Sequence, residues 1–233
     1  PTSETETMVD VDYDGDGTAE VVRVTDVDGE GVVSDDASDQ TETWTSNKTY
    51  ELNGLVFVND GETLKIEAGT EIQGRQGSGE NASALIVARG GEIVADGEKN
   101  NGTIDPIVLT SVRAAEENLS RSDRGLWGGV ILLGKAEVNT TDGINSIEGV
   151  PSDDQDRDIY GGSKNDHNIG TFRYVSIRHT GSTLNTGDEI QGLTLGGIGR
   201  RWLRVVWRYR QYQVPDCGLR GGRCLRHRRG LPG

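Results

Sequence analysis

The sequence predicts an all-β chain wound as a right-handed parallel β-helix, and three observations carry that prediction. Hydrophobic residues make up 33% of the 233 positions, aromatics 5%, and glycines number 34, which is too thin and too punctuated for the long apolar stripes of core helices. The apolar residues fall in short runs such as Leu55-Val56-Phe57-Val58, Ala84-Leu85-Ile86-Val87-Ala88, Ile107-Val108-Leu109 and Gly129-Val130-Ile131-Leu132-Leu133, each long enough for one strand. Strand-turn units, Thr63 to Ile72 and Ala84 to Ile93 among them, recur about every 20 residues, a period typical of solenoids. Stacked coils bury aliphatics that a single coil leaves bare, with glycines at the corners. A β-sandwich with similar strand lengths is the alternative.

Residues 1–43 are rich in Asp, Glu, Thr, Ser and Gly and read as an acidic linker with one ordered loop. That loop is Asp12-Tyr13-Asp14-Gly15-Asp16-Gly17-Thr18-Ala19-Glu20. Carboxylates at positions 1, 3, 5 and 9, glycine at 6 and a carbonyl at 7 match the start of a calcium loop, because they fold hard oxygens around one ion. The position-12 Glu of an EF-hand is replaced by Arg23. The loop resembles the calcium loops of dockerins and integrin repeats. By that resemblance Asp12, Asp14, Asp16 and Glu20 supply side chains and Thr18 its carbonyl, with Asp10, Asp26 and Asp28 as outer partners. A solvated acidic linker is the plainer reading.

The solenoid is expected over residues 44–198. Two polar excursions, Glu116 to Gly125 and Pro151 to Asn168, interrupt it and project from its edge, where binding specificity commonly resides. Ala114 to Leu119 is the one helical stretch, and it is short. Trp44 and Trp127 suit coil packing better than sugar stacking. Asn53, Asn59, Asn139, Asn145 and Asn185 sit near strand ends, where amides bond along turns.

Charge divides the chain. The formal total is −14, yet residues 200–233 carry ten Arg against the single acid Asp216, leaving 14 basic and 37 acidic residues in 1–199. So acidic a body repels nucleic acid and anionic lipid. Residues 199–233 form an anomalous basic tail, expected to be disordered. Its content of Arg, Gly, Trp, Cys217 and Cys224 suggests out-of-frame translation of a GC-rich gene. A basic arm binding nucleic acid or lipid, with Trp202, Trp207 and Tyr209 stacking, is the competing reading. No run reaches the ~18 apolar residues of a membrane span. The opening at Pro1 suggests a trimmed fragment without its signal segment.

The ordered blocks Asn53 to Val58, Leu64 to Gly74, Ala82 to Gly91, Gly125 to Gly134 and Arg173 to His179 resemble secreted or lipid-anchored β-helix proteins of the Gram-negative envelope, some with a C-terminal sorting domain. The resemblance implies a secreted, cell-surface or outer-membrane location, further coils beyond Ile198, and a largely unassigned activity. Polysaccharide or envelope proteins are the expected partners.

Catalytic chemistry is sparse: three histidines (His167, His179 and His227), no nucleophile elbow and no phosphate-binding loop. The function expected is therefore binding or structural display. The enzymatic alternative, a polysaccharide lyase or glycoside hydrolase, would draw on Asp153, Asp154, Asp156 and Asp158 as paired carboxylates, with Arg178 and His179 from a later coil.

Overall fold

The computed structural model describes residues 8–13, 15–26, 29, 31–32, 40–78, 81–185, 188–189, 192–199 and 203–206. The hairpin β1 (Met8–Val11) and β2 (Val21–Val24) leads into turns of three strands each. The first comprises β3 (Thr41–Trp44), β4 (Thr49–Leu52) and β5 (Leu55–Val58). The second comprises β6 (Thr63–Ile66), β7 (Glu71–Gly74) and β8 (Ala84–Val87), and the third β9 (Glu92–Asp96), β10 (Ile107–Ser111) and β11 (Gly129–Leu133). One helical turn, α1 (Arg113–Glu116), follows β10, and the hairpin β12 (Ile144–Ser146) and β13 (Ile159–Gly161) follows β11. The next turn holds β14 (Gly170–Arg173) and β15 (Val175–Ile177), then the hairpin β16 (Thr183–Asn185) and β17 (Asp188–Glu189), then β18 (Leu193–Gly196). β19 (Leu203–Val206) pairs in parallel with β14.

Equivalent strands stack into three parallel sheets. The first runs β3-β6-β9-β14-β19, the second β2-β4-β7-β10-β15 with β1 antiparallel at its edge, and the third β5-β8-β11-β18. This is a parallel β-helix, and the sandwich alternative fails because every coil-to-coil pairing among the described residues is parallel. Four-residue corners make the winding possible. Gly61 and Gly90, both at positive φ, turn the chain from the third sheet to the first, a conformation that costs glycine little.

The apparent 20-residue repeat is not the coil itself. Thr63 to Ile72 spans the corner from the first sheet to the second, whereas Ala84 to Ile93 spans the corner from the third to the first. True stacking pairs Thr41 with Thr63, Thr63 with Glu92 and Ile93 with Gly170, so successive coils lengthen. Strand–corner–strand chemistry repeats; coil length does not.

Inside the coils, Val22, Tyr50, Ile72 and Leu109 form one aligned column, and Trp44, Ile66, Ala95 and Phe172 another. Trp44 stacks on Tyr50 with ring centroids 4.7 Å apart. Trp127 is fully buried and its indole donates to the Arg178 carbonyl at 2.7 Å. Gly74 makes room for it, since a Cβ there would lie 2.7 Å from the Trp127 ring.

The third sheet is covered on both sides. Val56, Leu85 and Val130 face the interior with the main core, while Phe57, Ile86 and Ile131 face outward beneath Val150, Ile147 and Tyr160 of the excursion. β5, β8 and β11 therefore read as nearly unbroken apolar runs, as strands covered on both faces do.

Two expected boundaries shift. Val21 to Val24 belongs to the second sheet and Val32 to the main core, so the winding starts within the expected linker. The run Val21-Val22-Arg23-Val24 is one short strand-like island in a polar stretch, too little on its own to place it in a coil. Pairing of β19 extends past residue 199 into the basic segment. Residues 207–233, with Cys217, Cys224 and His227, lie outside the described residues, as does Trp202.

Candidate functional site

The acidic loop joins β1 to β2 at the edge of the second sheet. Asp12 accepts hydrogen bonds from the Gly15 amide at 2.7 Å and the Gly17 amide at 2.9 Å, and Asp16 accepts from the Thr18 amide at 2.8 Å. These bonds curl the loop until carboxylate oxygens of Asp12, Asp16 and Glu20 lie within 4.8 Å of one another, all exposed. A cluster of hard anionic oxygens fits calcium. Asp14 and Asp28 lie outside the described residues. Asp10 and Asp26, expected as outer partners, turn elsewhere: Lys48 pairs with Asp10 at 2.6 Å and Arg157 with Asp26 at 2.5 Å.

A buried carboxylate anchors this loop to the sheet. Glu51 accepts from the Tyr13 hydroxyl at 2.8 Å, from Arg23 at 2.8 Å and from Arg75 at 2.7 Å. Burial raises its pKa, but the bonds from Arg23, Arg75 and Tyr13 together bring it below the ordinary value.

The residues expected to pair for catalysis are dispersed. Asp153 is bound by Arg157, whose hydrogen bonds outweigh burial and hold its carboxyl below the usual range. Asp154 and Asp156 are exposed. Asp158 is buried, accepting from the Ser146 and Ser152 hydroxyls at 2.5 and 2.8 Å. Arg178 and His179 stand at the end of β15 and line a separate cleft with Leu119, Ser120 and Arg121. The His179 ring lies 2.8 Å from the Asp123 carbonyl. Gln155 to Arg157, next to Asp153, line one cavity and the Arg-His pair another.

Where the third sheet turns to the first, the corners Asn59-Asp60 and Ala88-Arg89 face the segments Gln155 to Arg157 and Gly161 to Lys164 across a cavity of about 600 Å³. Four cations line it, Arg89, Lys135, Arg157 and Lys164, against two acids, Asp60 and Asp156. Arg157 is its fixed post: it pairs with Asp26 and Asp153, and its guanidinium lies 3.9 Å from the Phe57 ring centroid.

A coil with three parallel sheets and long corner excursions is the architecture to which the comparisons also point: residues 35–216 match the family model described as a pectate-lyase-like β-helix domain. The chain belongs to this family. Searches of curated proteins and of solved structures found no match.

Within this pectate-lyase-like β-helix, the matched span takes in the excursions, the corner cavity and the Arg178-His179 cleft, whereas the acidic loop precedes it. Sequence reading missed Arg89, Lys135 and Lys164. The usable signal was their sign, since cations are the minority in so acidic a body.

Proposed function

We propose that the chain is a binding and display module of the secreted or cell-surface compartment, holding polysaccharide or envelope proteins without transforming them. What supports this reading is the dispersal of the acid and base groups. Asp153 is neutralised by Arg157, and Arg178 and His179 line another cleft. General acid–base chemistry needs both partners within hydrogen-bond reach of one substrate.

Incubated with acidic and neutral polysaccharides, the protein is expected to release neither unsaturated uronides nor new reducing ends, while being retained on at least one of them. Release that disappears in Asp153→Asn or His179→Ala would instead establish a polysaccharide lyase or glycoside hydrolase on the same scaffold.

We also infer a structural calcium ion held by side chains of Asp12, Asp14, Asp16 and Glu20 and the carbonyl of Thr18. Its role is to order the β1–β2 connection against the second sheet. Titration calorimetry on the full chain is expected to show one saturable site at or below roughly millimolar calcium, abolished in the double variant Asp12→Asn, Asp16→Asn. Absence of calcium heat in the unaltered protein removes the ion from the account.

A further inference from the structure

We propose that the cavity between Arg89, Lys135 and Lys164 is a binding site for the oxyanion group of a polar ligand, a carboxylate, sulfate or phosphate. The proposal rests on the binding reading above and names the chemistry of one ligand class.

Three observations converge. The first is charge balance within the cavity. Arg157 is satisfied by Asp26 and Asp153, and Lys135 by Asp60 at 3.0 Å. Among the described residues, Arg89 and Lys164 form no ion pair, although the body carries 37 acids that could have supplied one. The Arg89 side chain makes a long 3.4 Å hydrogen bond to the Gly161 carbonyl, its one side-chain bond among the described residues. A planar guanidinium and an ammonium group left without ion pairs on one cavity, beside the Lys135–Asp60 pair, supply the charged donors that recognise an oxyanion.

The second is a half-buried imidazole close to the same two lysines. His167 lies three residues beyond Lys164 and donates its backbone amide to the Lys164 carbonyl at 3.0 Å. Burial first, then Lys135 and Lys164, push its pKa below the ordinary value against the opposing pull of Asp60 and Glu92. Its Nδ1 is buried without a hydrogen-bond partner.

The third is support. Two of the cations stand on strand-flanking corners of the coil ladder, Arg89 after β8 and Lys135 after β11, and Lys164 lies on the excursion just beyond β13. The Lys164 amide donates to the Lys135 carbonyl at 2.8 Å, and the Gly161 amide donates to the Gly134 carbonyl at 2.9 Å, so the outer wall is tied to the inner one. The backbone that carries these side chains is thereby held in place on both walls of the cavity.

The test uses the full chain at constant ionic strength with sodium sulfate, phosphate and glucuronate as separate probes, followed by NMR of the His167 ring. Saturable binding of at least one probe is expected, with the His167 pKa rising as the bound anion offsets Lys135 and Lys164. The double variant Arg89→Gln, Lys164→Gln, whose fold is checked by circular dichroism, is expected to weaken that binding roughly tenfold or more. The preferred probe identifies the oxyanion. No saturable binding of any probe, or binding unchanged in the double variant, overturns the proposal. Either result leaves the non-catalytic binding reading to its own test, because polysaccharide retention and cleavage are measured separately.

Discussion

At the scale of the residue, two buried glutamates show how neighbours decide the charge state. Glu51 has two guanidinium groups and a phenol around it. Glu62 is just as hidden but sits beside Asp26, receiving the Asn59 amide at 2.7 Å, and burial followed by Asp26 raises its pKa to about 7 in spite of Arg157. The folded pKa is thus above the unfolded one. Stability from Glu62 is full below about pH 4.5 and is lost as pH rises through about 7. Glu51 works in the opposite sense and in a lower window, losing its contribution as pH falls. Glu62→Gln, which keeps the shape without the charge, is expected to flatten the fall in stability between pH 5 and pH 8. At pH 8 it is expected to exceed the unaltered protein by on the order of 3 kcal/mol at most. Urea midpoints across that range provide the check, and parallel profiles for the two proteins would mean that Glu62 titrates normally.

At the scale of the element, adjacent residues of β11 serve different layers. Leu132 points into the coil core, whereas Ile131 points outward under the excursion, and both are buried. Truncating either leaves a cavity worth about 2–5 kcal/mol. The consequences should differ in place. Ile131→Ala is expected to loosen residues 137–165 and expose them to limited proteolysis while the coil signal persists in circular dichroism. Leu132→Ala is expected to lower the midpoint of the whole ladder. Identical cleavage patterns in the two variants would show that the excursion is not a separable layer. The reason lies in the double coverage of the third sheet, where one side chain in two belongs to each layer.

Much of this organisation was legible in the sequence, and the limits of legibility are physical. Short apolar runs and glycine corners identified the coil because strand length and positive φ are local requirements, met at Gly61 and Gly90. The loop at Asp12 to Glu20 was legible for the same reason: Asp12 and Asp16 bond to amides two to five residues away. Coil length was not legible, since parallel pairing joins Ile93 to Gly170 across a long detour that leaves no periodic trace. Nor was the corner cavity, whose Arg89 comes from the corner after β8 and whose Lys135 and Lys164 come from the two ends of the connection after β11, far apart in the chain until the coils stack. The acidic string Asp153 to Asp158 was visible, but its side chains part company. Asp153 goes to Arg157 and Asp158 to two serine hydroxyls. Which neighbour a carboxylate meets is a tertiary fact.

At the scale of the whole molecule, the ladder between strands is indifferent to how far the chain travels between rungs. Residues 134–169 leave β11 and return at β14 with strand pairing resumed on both sides. That indifference makes the corner after β11 a graft point: a foreign segment could replace the excursion and still return in step. The tenant would inherit one obligation from the wall it covers. It must bring greasy side chains of its own to sit over Phe57, Ile86 and Ile131, or the naked outer face of the third sheet would glue one molecule to the next.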